Sequence, residues 1–141
     1  MTTATMTETT PSRTGAKVAA WVLQGLAGLA FLMAGAMKST QPIDALHAAM
    51  AWSTAVPDGL VRFIGVSEFL GGLGLILPAL TRIKPVLTPV AGALLVVVMV
   101  LAGAFHVSRG EFGALPINAV LGLLAGGAAY LRWKVVPVQP R

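Results

Sequence analysis

No cysteine occurs among the 141 residues, which excludes disulfides, thiol relays, thiolate-held iron-sulfur clusters and covalent c-type haem attachment within this chain. Any redox chemistry therefore needs a partner protein or a diffusible cofactor. Histidine is nearly as scarce: with only His47 and His106, neither a metal centre nor a bis-histidine haem is expected. Charged residues make up 11% of the chain and acidic residues number five, too few to clothe a soluble domain in water. The net charge of +5 is scattered among apolar blocks instead of forming a basic stripe with interleaved aromatics, which argues against a nucleic-acid partner.

What the chain has in quantity is apolar surface: 56% of residues are hydrophobic and the mean hydropathy is +0.82. Both values indicate an integral membrane protein, and this length holds four spans with short connections and no soluble catalytic domain. The expected fold is all-α, a four-helix transmembrane bundle. Threonine-rich residues 1–16 carry no periodic apolar face and read as a flexible cytoplasmic tail. The spans are expected at about 17–38, 60–80, 86–106 and 115–133, within a membrane domain of residues 17–134, followed by a short tail, 135–141. Ala34-Gly35-Ala36 resembles a cleavage site after a basic start. The preceding apolar run is long for a signal peptide and three equally apolar segments follow, so an uncleaved first span is expected.

Between the first two spans, polar and apolar residues mix. Pro42 is placed to start a short helix and Pro57-Asp58-Gly59 to end it. Ile43, Leu46 and Met50 recur at helical spacing and Trp52 suits a headgroup-level anchor, so this segment reads as an interfacial helix. His47 on it is expected to face solvent. Pro89 and Pro116 fall near helix starts, where a missing N–H matters least. Gly122-x-x-x-Gly126, Gly71, Gly72, Gly74, Gly25 and Gly28 are expected to let the helices pack closely within the bundle. Arg13, Lys17, Arg82, Lys84, Arg132, Lys134 and Arg141 fall on one side of the membrane, against Lys38, Arg62 and Arg109 on the other, so both termini are expected in the cytoplasm.

Alternating span direction brings the polar residues to one level. Lys38 closes the first span on the outer side, and Glu68 lies about 12 Å down the second at the helical rise. His106 closes the third on that side, Asn118 sits about one turn inside the fourth, and Arg109 and Glu111 occupy the loop between. Only Gln24 is left toward the inner half. A charge at the centre of a membrane helix costs about 2.5–3.5 kcal/mol on insertion scales, so Glu68 requires a partner. Lys38, His106, Asn118 and Arg62 are the candidates. Taken singly, each residue has a plainer reading. Glu68 could fix the bundle through an interhelical contact, worth only about 0.6 kcal/mol in membranes. Lys38 could snorkel, His106 and Asn118 could serve helix ends, and Arg109 with Glu111 could be a solvated pair. Their convergence favours a ligand-binding or proton-relay cluster.

The segment RFIGVSEFLGGLGLILPALT, the FH..RGE before an Asn-bearing span, and the earlier FLMAGAMKST resemble the DoxX-like family of small four-helix membrane proteins over roughly residues 18–133. Position by position, the family's characteristic polar residues match Lys38, Glu68, His106, Arg109, Glu111 and Asn118. The family's name derives from a membrane subunit of a quinone-reducing sulfur oxidation system. The resemblance therefore implies an accessory or quinone-associated subunit of a membrane redox system, with a redox protein as partner and quinone as cofactor. Two alternatives stay open: a membrane scaffold for soluble enzymes, and a small proton-coupled transporter, the latter working as a homodimer. The absence of an evident inverted repeat and the one-sided polar cluster argue against transport.

Overall fold

The computed structural model describes residues 13–141, and the expected tail over 1–12 lies outside the described residues. Four long helices form the body: α1 (Arg13–Thr40), α3 (Asp58–Thr81), α4 (Leu87–Ser108) and α5 (Leu115–Tyr130). A short α2 (Ile43–Ala49) and a 3₁₀ turn (Ala51–Ala55) link α1 to α3. A second 3₁₀ turn (Phe112–Ala114) precedes α5, and a π-helical turn (Leu131–Val135) follows it. Four segments, ending with Phe112–Val135, are long and apolar enough to cross a membrane. α1 starts at Arg13, so residues 13–16 belong to the helix and not to the tail.

Each long helix packs on two neighbours, α1 on α3 and α5 and α4 on the same two, giving a closed up-down-up-down bundle. The buried faces follow a period that apolar residues alone do not reveal. On α3 it runs Val61, Gly65, Glu68, Gly72, Leu75, Ala79, in alternating steps of four and three. On α1 it runs Ala20, Gln24, Ala27, Gly28, Phe31, Gly35, Lys38. Small and polar residues thus face inward, while Leu29, Met33, Leu70, Leu94, Leu101 and Leu123 are exposed on the outside. Only an apolar solvent accommodates such a surface, and lipid lets the small residues set the interface.

The tightest helix crossing is α1 on α3. A Cβ on Gly65 would lie 2.6 Å from Lys38 Cβ, and one on Gly72 would lie 2.8 Å from the Gly28 carbonyl oxygen. Gly35 is wedged against the Gly65 carbonyl and the Phe69 backbone. The expected roles of Gly28 and Gly72 therefore hold. Gly25 meets nothing within 4 Å, and Gly122 and Gly126 make only side-chain contacts at 3.4 and 3.3 Å, so the G-x-x-x-G pair does not mark the closest approach. Phe31, Leu75, Leu95 and Met99, with Ala27, Ala125 and Ala128, form the apolar core midway along the bundle.

At the end bearing α2, Arg62 donates to the carbonyl oxygens of Lys38 and Gln41, at 2.7 and 2.6 Å, and so satisfies the open end of α1. At the opposite end, Arg82 ends α3 in the left-handed region (φ 62°). Its Nε donates to Gln139 O and its carbonyl accepts from Arg141 N, so residues 136–141 fold back onto the α3–α4 turn instead of trailing away.

Candidate functional site: a polar-ended cavity at the α2 end of the bundle

Glu68 is 3% exposed and Lys38 is 9% exposed, and Lys38 Nζ donates to Glu68 Oε2 at 2.5 Å across the α1–α3 crossing. Both residues lie on their helices' buried faces, and Gly65, one turn before Glu68, lets the lysine stem pass against the α3 backbone. Of the candidate partners for Glu68, Lys38 is the one that binds it. Arg62 is occupied with α1 carbonyls.

The RGE loop is built to hold His106. Gly110 takes a left-handed φ of 71°, which ends α4 and turns the chain back so that Glu111 N donates to His106 O at 2.9 Å. The same reversal returns the Glu111 carboxylate to the imidazole, with His106 Nδ1 to Glu111 Oε2 at 2.8 Å. Arg109 Nε donates to the other carboxylate oxygen at 2.8 Å, and its guanidinium lies 5.4 Å over the Phe105 ring. These bonds from His106 and Arg109 hold the Glu111 carboxyl below its ordinary value of 4.5. An ionised carboxylate can only accept, so the hydrogen is assigned to His106 Nδ1 and Nε2 is left uncommitted to Glu111.

The Lys38–Glu68 pair and His106 meet at a cavity of about 380 Å³. Lys38, Glu68, His106 and Asn118 line it, one from each long helix, and Ser67 adds a hydroxyl that is satisfied within α3 by Phe63 O at 2.8 Å. Its remaining walls are apolar: Leu60, Phe63, Ile64, Val98, Met99, Leu101, Ala102 and Phe105, with Val56 and Trp52 from the α2 connection. Leu60, Phe63 and Leu101 are at the same time exposed on the bundle's outer surface, so the α3–α4 wall is open toward the lipid side. Asn118 Nδ2 is buried and has no hydrogen-bond partner among the described residues.

Of the six expected residues, Lys38, Glu68, His106 and Asn118 border the cavity. Glu111 and Arg109 stand behind His106 and do not line it. Trp52, expected at headgroup level, is half-buried and lines the cavity, edge-on to both His106 and Phe105 with centroids 6.4 Å away. Sequence reasoning assigned Trp52 from its interfacial position. Its place in the 3₁₀ turn between α2 and α3 brings it to the cavity, and no motif in the sequence marks that role. His47, expected to face solvent, is partly buried, with Nε2 3.2 Å from Asp58 Oδ1 but without hydrogen-bond alignment.

A second polar region was not foreseen. Arg132, expected among the flanking basic residues, turns inward and is 5% exposed, and its Nε donates to the fully buried Gln24 at 2.8 Å.

Neither a curated protein nor a solved structure matches the chain. A model of the DoxX-like family matches residues 22–128, which reach into all four long helices and include every cavity residue. The chain is a member of the DoxX-like family of multi-pass membrane proteins.

Proposed function

We propose that the chain is an accessory subunit of a membrane redox system that holds a quinone headgroup in the cavity between α3, α4 and the α2 connection. The observation that carries this reading is the division of the cavity: apolar walls open toward lipid, and polar groups gathered from four helices at its end. A volume of about 380 Å³ lies in the range of small-molecule sites, which combine apolar walls with a few placed polar groups. The buried, unpartnered Asn118 Nδ2 is a donor suited to a carbonyl oxygen. A bound quinone would supply reversible two-electron, two-proton chemistry, with electrons passing to or from a redox protein partner.

The chain's own contribution is binding and proton handling. Asn118 Nδ2 and Lys38 Nζ donate hydrogen bonds. Glu111 fixes the imidazole so that His106 Nε2 takes or releases a proton toward the cavity. Glu68 keeps Lys38 at the cavity wall, and Trp52 with Phe105 shields the imidazole face from water. The basic excess at the end carrying α1's start and the α3–α4 turn supports a topology with both termini in the cytoplasm and the cavity toward the outer leaflet.

Purification in a gentle detergent followed by extraction and mass spectrometry tests this. Quinone should accompany the unaltered chain and fall at least severalfold with Asn118→Ala and His106→Ala. Unchanged quinone content in variants that elute as intact protein would sink the proposal.

The direct Lys38–Glu68 pair favours a second reading, since it satisfies both charges without a ligand. In that reading the cluster only stabilises the bundle and the chain scaffolds other proteins. Cavity variants would then lower abundance while leaving the activity of surviving protein intact. Transport has less support, because the apolar core of Phe31, Leu75, Leu95 and Met99 separates the cavity from the polar region at the other end.

A further inference from the structure

Arg132 is a buried cation without a counter-ion among the described residues. The four acidic residues of the described chain, Asp44, Asp58, Glu68 and Glu111, all lie at the α2 end, and Arg132 lies at the other. Its guanidinium stacks 4.6 Å over the Trp21 ring, and Nη1 reaches Val136 O only at 3.5 Å. Nε and Nη2 form one edge of the fork. Gln24 Oε1 takes the Nε hydrogen, while Arg132 Nη2 and Gln24 Nε2 are both buried and unpartnered. Thr88, fully buried in the first turn of α4 at the same end, also has an unpartnered hydroxyl. A π-helical turn at Leu131–Val135 carries Arg132, and such turns are frequent at functional sites.

The two residues joined by the Arg132–Gln24 bond thus each keep a buried donor without a partner, one of them charged. Burying them unpaired is unfavourable, and an oxyanion relieves both at once. Depth indicates where the anion comes from. Trp21, Tyr130 and Trp133 are exposed around this end, where aromatic side chains mark the headgroup level, and Arg132 lies among them. We infer that Arg132, Gln24 and Trp21 form a phosphate-binding site for the headgroup of an anionic lipid, separate from the cavity at the α2 end.

The test uses the full chain reconstituted in phosphatidylcholine vesicles doped with phosphatidylglycerol, then released in mild detergent for native mass spectrometry. Phosphatidylglycerol should be retained in preference to phosphatidylcholine, and Arg132→Gln should reduce its retention roughly tenfold or more. Lys134→Gln, which removes an exposed charge from the same turn, should change it less than about twofold. Gln24→Glu gives the guanidinium an internal carboxylate and should abolish retention even if Arg132→Gln fails to fold. If inorganic phosphate raises the thermal midpoint of the unaltered chain but not of Gln24→Glu, and no lipid preference appears, the site takes soluble phosphate. Equal retention of both lipids without a phosphate effect would overturn the inference. So would equal losses in Lys134→Gln and Arg132→Gln, which would mean general surface charge, or full retention in Gln24→Glu.

Discussion

Lys38 and Glu68 illustrate how a buried pair resists single changes. Removing one partner leaves the other charge stranded, and breaking a buried ion pair this way costs about 3–5 kcal/mol in proteins. Glu68→Leu and Lys38→Met should each lower the thermal midpoint in detergent, and the double variant should recover much of the loss. An additive double variant would mean that the two residues are not coupled. Glu111 offers a second residue-level prediction. Because its folded carboxyl titrates below 4.5, the stability it contributes is fully present above that value. It is lost as pH falls through the lower folded value. Acidification through this range should therefore free residues 106–114 to faster hydrogen exchange, and Glu111→Gln should show fast exchange already at neutral pH. Glu68 was legible in the sequence because a charge in an apolar run demands a partner. Arg132 was not, because an arginine at a span's end reads equally as a solvated flank; only the inward turn after α5 decides between them.

At the scale of elements, α1 and α3 meet backbone to backbone. Gly65→Ala would place a methyl group against Lys38, and overpacking of this kind costs about 1–3 kcal/mol. Gly25→Ala meets open space and should be neutral or raise stability by up to about 1 kcal/mol, since alanine is the better helix former. Thermal melts of the two variants in the same detergent check the contrast, and equal effects would mean that the close approach is unimportant. The helices themselves were readable from apolar length. Which face turned inward was harder, because all sides of α3 and α4 are apolar. The steps of four and three that join Gly65, Glu68 and Gly72 were present, but they concern small and polar residues, whose inward preference appears only when lipid is the outer solvent. His106 borders the cavity from the buried face of α4, and the left-handed backbone at Gly110 brings Glu111 behind it.

For the whole molecule, four antiparallel helices put α1's start and the chain's last residues at one end and α2 at the other. The lack of cysteine makes the proposed orientation easy to check. A cysteine introduced at Arg141 should react with an impermeant thiol reagent only after the membrane is opened, and one at Asp44 should react in intact cells. The reverse pattern would invert the topology.

Composition and span length by themselves determined that this chain lives in a bilayer as a four-helix bundle, because an apolar stretch long enough to cross must satisfy its backbone internally as helix. Alternating span direction likewise determined that Lys38, Glu68, His106 and Asn118 share one level. Tertiary structure alone decided that Lys38 is the partner of Glu68, that Trp52 closes over His106, and that Arg132 leaves the flank to meet Gln24. Those outcomes depend on helix rotation and on close backbone approach across the bundle, which no stretch of sequence encodes locally.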